Sequence, residues 1–367
     1  MSRVVSAELV PYRLRLRSAH RDARGGFAAR EGVLLKLSDE SGRVGLGDCA
    51  PLPPVTQPLD VCCRALVAEA ERLPGMDPVS GFPELMDAPD AGLPTPARAA
   101  VEMALGWLAA QELGTTLGRL LASDSPVRPA SLVVNALVDA ADVAEAIAQA
   151  ARFSAEGYTV FKVKVGLGAD RDAAVLRGLR DRIGPGAVMR IDANGAWSPA
   201  EFVAMAPLLH AAGVDLVEQP VAPGVPPAEW ARLRWETGLR IAADESLADG
   251  ARGLELIRAK ACDAVVLKPS LLGLAAAARL ARAAREAGLE VIVSGAFESG
   301  AGFGAALEFA AALGSPGAAH GFATALAVLD DPVVSGVPLP SAGGVELPAA
   351  GVLPALAPAE SAREALT

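Results

Sequence analysis

Lys164, Asp192, Glu218, Asp244, Lys268 and Ser294 are separated by 28, 26, 26, 24 and 26 residues, and each closes a short apolar run rich in Val, Ile or Leu. The carboxylates stand in the contexts Arg-Ile-Asp-Ala-Asn, Leu-Val-Glu-Gln-Pro and Ala-Ala-Asp-Glu-Ser. Three anions brought together cannot all stay ionised without a compensating cation. With oxygen donors and no Cys or His beside them, the cation they suit is Mg²⁺, or else Mn²⁺, rather than zinc. Lys162-Val163-Lys164 ends the preceding run, and positions i and i+2 of a strand share a face. An amine beside another ammonium loses proton affinity, so Lys162 is expected to lower the pKa of Lys164 and make it a base near neutral pH. Lys268 ends Asp263-Ala264-Val265-Val266-Leu267, a run so apolar that a charge at its end is costly unless it is paired or used. The two lysines are expected to flank whatever the metal binds.

A step of about 26 residues is what one strand, one helix and two loops consume. Candidate strands end near Asn135, Lys164, Asp192, Glu218, Asp244, Lys268, Ser294 and Gly321. That set closes a (β/α) barrel of TIM type, an α/β fold whose active sites lie at the C-terminal strand ends. No consensus repeats from unit to unit, which argues against a solenoid. Ser198-Pro199-Ala200-Glu201 reads as a capping box with Pro at the first helical position. Gly157, Gly213, Gly238 and Gly288 stand where helix C-cap glycines belong.

Residues 96–325 are assigned to the barrel and residues 1–95 to an N-terminal α+β capping domain. The Pro/Gly-rich tail, 326–367, is expected to pack back on the cap. Within the cap, residues 4–16 and 32–37 alternate as strands do. The segment 17–30 is polar and Gly-containing, and reads as a mobile loop closing over the barrel mouth as a lid. A Gly/Pro-rich segment follows at 45–54, and helices are expected over 58–75 and 96–122.

Hydrophobic residues make up 52% of the 367 and support a large core, while a net charge of −10 and no basic stripe make nucleic acid an unsuitable partner. No apolar stretch is long enough to span a bilayer, and the N-terminus carries no signal-like apolar region; a cytoplasmic protein is expected. Cys49, Cys62, Cys63 and Cys262 lack metal-site spacing and read as free thiols. Of the histidines, His210 is expected to be structural, and His20 and His320 are possible ligand contacts. The sequence is compatible with a homo-oligomer.

Lys162-Val163-Lys164, Asp192-Ala193-Asn194, Glu218-Gln219-Pro220, Asp244-Glu245-Ser246 and Lys268-Pro269 together resemble the enolase superfamily. Lysines on both sides of the acidic set resemble its muconate-lactonising-enzyme-like subgroup. Leu267-Lys268-Pro269-Ser270-Leu271-Leu272-Gly273, Ser294-Gly295-Ala296-Phe297-Glu298-Ser299-Gly300 and Gly45-Leu46-Gly47-Asp48-Cys49-Ala50-Pro51-Leu52 are similar to the o-succinylbenzoate synthase family. The resemblance implies a modified, enolase-like barrel and a Mg²⁺-dependent lyase of menaquinone biosynthesis acting on a small-molecule carboxylate. It implies Asp192, Glu218 and Asp244 as metal ligands and Lys164 as the base, assisted by Lys162. Lys268 would lie against the substrate ring, with Asn194 behind the ligands. Backbone N–H groups of Ser294, Gly295 and Ala296 would hold the succinyl carboxylate, and Arg190, one layer below Asp192, would be a structural ion-pair partner. The rival activities within the subgroup are N-succinylamino or N-acylamino acid racemisation and, less well matched, dipeptide epimerisation. A retained barrel that binds without catalysis is the remaining alternative.

Overall fold

The computed structural model describes residues 2–22, 25–88, 92–122 and 128–356. Positions 23–24 of the segment expected to be a lid, and 357–367 of the tail, lie outside them. The chain opens with a long antiparallel hairpin, β1 (Val4–Asp22) and β2 (Gly25–Asp39), joined by β3 (Val44–Cys49). Three helices follow, α1 (Leu59–Ala70), α2 (Pro78–Asp87) and α3 (Thr95–Glu112), and then the short α4 (Leu117–Leu121). The helix expected over 96–122 is thus two helices, broken at Gly114, where φ is +60°. Gly45 and Gly47 of β3 exist for close packing: a Cβ on either would meet the α3 carbonyls of Ala104 or Ala100 at 2.1 or 1.7 Å.

The described parts of the expected mobile loop, 17–22 and 25–30, are instead the far end of the hairpin. His20 pairs with Phe27 and Asp22 with Gly25, after a register shift beyond Arg15. The polar composition fits a ribbon whose faces meet solvent for much of its length. The outer strand is held by ion pairing of Arg15 with Asp330 at 2.5 Å and by an Arg17 Nε donation to the Leu326 carbonyl at 2.9 Å.

The barrel strands are β4 (Ser131–Val134) and β5 (Ala136–Val138), then β6 (Val160–Lys164), β7 (Val188–Asp192), β8 (Val214–Glu218), β9 (Ile241–Ala243), β10 (Ala264–Leu267), β11 (Glu290–Val293) and β12 (Ala319–His320). Strands β5 to β11 form one parallel sheet in chain order. The ring closes because Gly321 bridges Ser294, β12 pairs in parallel with β4, and Asn135 N–H donates to His320 O at 3.0 Å. So β4 and β5 are two halves of one ring position, bent at Asn135. The intervening helices are α5 (Val143–Ala155), α6 (Ala169–Ile183), α7 (Pro199–Ala211), α8 (Pro227–Thr237), α9 (Gly250–Arg258), α10 (Pro269–Leu272), α11 (Leu274–Glu286) and α12 (Gly300–Leu313). Helix α7 begins with the Ser198/Glu201 capping box, and α8 ends at left-handed Gly238.

Among the described residues, no long helix follows β12. The chain returns as β13 (Val328–Leu329), which extends the cap sheet beside β1. Of the last strands, β14 (Val333–Ser335) and β16 (Ala355–Leu356) pair together, while β15 (Gly344–Glu346) pairs with β4 of the barrel. Among the described residues, no helix is long and apolar enough to cross a membrane.

Candidate active site

The parallel register sets the site. Lys164 pairs with Asp192 and Asp192 with Glu218, so these residues form one layer at the strand ends. Lys162, Arg190 and Leu216 form the layer beneath. Asp244 and Lys268 follow directly on β9 and β10. Ligand oxygens of Asp192, Glu218 and Asp244 lie within 4.8 Å of one another, and all three residues are buried. Lys162 Nζ donates to Glu218 Oε1 at 2.6 Å and lies 2.9 Å from Asp192 Oδ2. Lys164 Nζ donates to Asp192 Oδ2 and Asn194 Oδ1, both at 2.8 Å. Lys268 Nζ donates to Asp244 Oδ2. Strands β6 and β10 stand four places apart in the ring, so Lys164 and Lys268 face each other across the mouth.

Side chains behind this layer fix it. Gln219, fully buried and left-handed at φ +40°, accepts from the N–H groups of Asp244 and Ser246 at 3.0 and 3.1 Å. Its Nε2 donates to Val221 O at 2.7 Å and Ser246 Oγ at 2.8 Å, tying the end of β8 to the end of β9. Asn194, at φ +46°, donates its N–H to Asp192 Oδ1 at 3.0 Å and its Nδ2 to Glu245 Oε1 at 2.9 Å.

The carboxylate set fits a hard divalent cation. Burial first, and then Asp192, push the Glu218 carboxyl up to about 8, so the three carboxylates are costly to keep ionised side by side in this buried layer. Three buried oxygen donors without sulfur or imidazole are the donor chemistry of Mg²⁺ and Mn²⁺. Burial alone would lower the Lys162 pKa, but Asp192, Glu218 and Asp244 outweigh it and hold the ammonium above its ordinary value. In this arrangement the Lys162 ammonium is paired with Asp192 and Glu218.

Above the lysines opens a cavity of about 620 Å³, lined by Lys162, Lys164 and Lys268, by Ser294, Gly295, Ala296 and Phe297, and from the cap by His20, Phe27 and Arg30. Phe297 lies against both His20 and Phe27, with ring centroids 4.7 and 5.5 Å away. Ser294, Gly295 and Ala296 are therefore at the cavity, but their expected anion cradle is not available. Ser294 N–H donates to Leu267 O at 2.9 Å, Gly295 N–H donates to Gly321 O at 3.0 Å, and Ala296 N–H donates to Glu298 Oε2.

Arg190 is structural, donating to Ala319 O at 2.9 Å and lying 3.3 Å from Glu290 Oε1. His320 faces the barrel wall, not the cavity. Its Nδ1 accepts from Val293 N–H at 3.0 Å, and burial, with Arg190 nearby, lowers its pKa to about 3. His210 is structural, its Nε2 2.7 Å from Thr237 O, and His20 lines the cavity with Nδ1 3.0 Å from Asp139 Oδ2. Arg30, Phe297 and Glu298 were given no role at the site from sequence; nothing in the local pattern Ala29-Arg30-Glu31-Gly32 sets Arg30 apart from an ordinary surface charge.

The family described as "Enolase C-terminal domain-like" matches residues 145–352. This chain is a member of the enolase superfamily. The o-succinylbenzoate synthase of Thermobifida fusca is 38% identical over 240 residues, which is 64% of this chain and 71% of that protein. The D-Ala-D/L-Ala epimerase of Cytophaga hutchinsonii is 28% identical over 349 residues, 94% of this chain and 93% of that one. The muconate lactonizing enzyme of Pseudomonas fluorescens shares the fold, with a TM-score of 0.87 at 24% identity over 100% of this chain and 98% of that one. Among enolase-superfamily proteins, the chain sits in the muconate-lactonising-enzyme-like subgroup.

Proposed function

We propose that this enolase-superfamily member is an o-succinylbenzoate synthase, removing water from a cyclohexadiene that carries a ring carboxylate and a succinyl chain. The observation that carries the reading is the charge of the cavity wall. Above the metal-type triad it presents Lys162, Lys164, Lys268 and Arg30 beside aromatic Phe27 and Phe297. Glu31 is the acidic residue among the described residues lining it, and it is paired with Arg13 at 3.4 Å. Such a wall suits a cyclic dianion. Among the described residues, the carboxylate it offers to the ammonium of a dipeptide is the Arg13-paired Glu31 alone, although a dipeptide epimerase matches more of the chain.

Asp192, Glu218 and Asp244 would hold Mg²⁺ or Mn²⁺, which when bound supplies Lewis-acid stabilisation of the negative charge that proton removal places on the substrate carboxylate. Lys164 takes the proton from the carbon α to that carboxylate, and the C–H electron pair moves into the conjugated carboxylate. The bond from the neighbouring carbon to its hydroxyl then breaks. Hydroxide takes the proton back from Lys164 and leaves as water, so one molecule of water is lost in all. Asn194 Oδ1 orients the Lys164 amine. Lys268, opposite, sets a positive charge against the ring. Lys162 keeps its proton and stays with Asp192 and Glu218.

The same lysines, facing each other, could exchange a proton on either side of an α carbon, so N-succinylamino acid racemisation is the second reading. The test is turnover in D₂O of the cyclohexadiene, an N-succinylamino acid and a dipeptide, with and without EDTA. A metal-dependent aromatic product is expected from the first. Deuterium entering only the dipeptide would contradict the proposal.

A further inference from the structure

Arg30, on β2, is 4% exposed, yet it has no carboxylate ion-pair partner among the described residues. Its Nη2 donates to Ala50 O at 2.9 Å, its Nε is buried without an acceptor, and its Cζ lies 5.6 Å from the Phe27 ring centroid. A guanidinium carries five N–H donors and cannot shed its charge, so a buried one with most of its donors unused is costly unless something completes it. It stands at the wall of the cavity whose floor holds the lysines. The nearest negative side chains do not complete it. Asp48 accepts from Tyr12 Oη at 2.7 Å and from the N–H and Oγ of Ser299 at 2.9 and 2.6 Å. Glu298 turns Oε2 to the Ala296 N–H and leaves Oε1 buried without a partner. Burial pushes the Glu298 carboxyl up to about 7, so it is a weak counter-ion near neutral pH.

We propose that Arg30 is the specificity-determining anion anchor of this cavity, receiving the second carboxylate of the substrate, the one remote from the reacting carbon. The proposal rests on the dianion reading above. It replaces the N–H groups of Ser294, Gly295 and Ala296, which are occupied within the protein, with a cap side chain as the far-end partner. Because Arg30 comes from the cap and the lysines from the barrel, a substrate held at both ends also spans the two parts of the molecule.

The experiment measures equilibrium binding to the Mg²⁺-loaded protein of o-succinylbenzoate and of its monoamide at the succinyl end. Wild type, Arg30→Met and Arg30→Lys are compared, with melting curves to establish folding. Wild type is expected to favour the dianion by about 10- to 100-fold, the range of a charge-assisted hydrogen bond in a buried site. Arg30→Met should erase that preference and Arg30→Lys should keep part of it. If Arg30→Met does not fold, a several-fold smaller preference in Arg30→Lys supports the assignment, and an unchanged one overturns it. An undiminished preference in Arg30→Met, equal weakening of both ligands, or a wild type that does not distinguish them also overturns it. Failure of wild type to turn over the cyclohexadiene, with the Arg30-dependent preference intact, would sink the synthase reading and leave the anchor standing.

Discussion

Lys162 and Lys164 are two positions apart on one strand, yet they meet different partners. Lys162 lies between two carboxylates, Asp192 and Glu218, at 2.9 and 2.6 Å. Lys164 shares Asp192 with a neutral amide, Asn194, at 2.8 Å to each. Two anions favour the charged form of Lys162, and Lys164 lines the cavity beside a neutral amide. Lys164→Ala is therefore expected to lower kcat for dehydration by about 10³-fold or more while leaving Mg²⁺ binding near wild type, checked by turnover and calorimetry on the same preparation. The identities of these residues were legible in sequence because strand-end position is periodic. Their pairing was not, because which oxygens turn toward which nitrogen depends on side-chain placement that no periodicity encodes.

At the scale of elements, the barrel depends on a junction where β11, β12 and the bent β4–β5 position meet. His320 holds it by accepting from Val293 N–H at 3.0 Å, which requires a neutral ring. Its pKa is lowered from 6.5 to about 3, by burial first and by Arg190 second. As pH falls through 6.5 the unfolded chain takes up a proton that the folded chain refuses, so stability drains away between pH 6.5 and 3. By pH 4.5 the loss from this group is roughly 2–3 kcal/mol. His320→Gln, which does not titrate, should show a shallower fall in melting temperature between pH 7 and 4.5 than wild type; an equally steep fall would remove His320 from that role. Sequence periodicity placed a strand end at Gly321 but could not show this, since a lone histidine carries no signal of burial. The hairpin failed for the opposite reason. Residues 17–22 and 25–30 lack apolar alternation because partner pairing, rather than a continuous buried face, sustains them as strand.

For the whole molecule, function needs the cap and the barrel together. Barrel residues recur at a fixed interval and were readable one unit at a time. Arg30 and Phe27 gain meaning only when β2 is laid over the mouth, and no local pattern encodes that juxtaposition. Helix α3 helps join the two parts. Its Glu102 is ion-paired with Arg98 at 2.7 Å and accepts from the first N–H of α11, Leu274, at 2.5 Å. The central claim is that Asp192, Glu218 and Asp244, from three strands, jointly hold one divalent ion beneath two opposed lysines. It is tested most directly by titrating Mn²⁺ into wild type, Asp192→Asn, Glu218→Gln and Asp244→Asn and following water-proton relaxation. One ion per chain is predicted for wild type, with affinity falling by about 100-fold or more in each variant. Wild-type affinity retained in any of the three would contradict it.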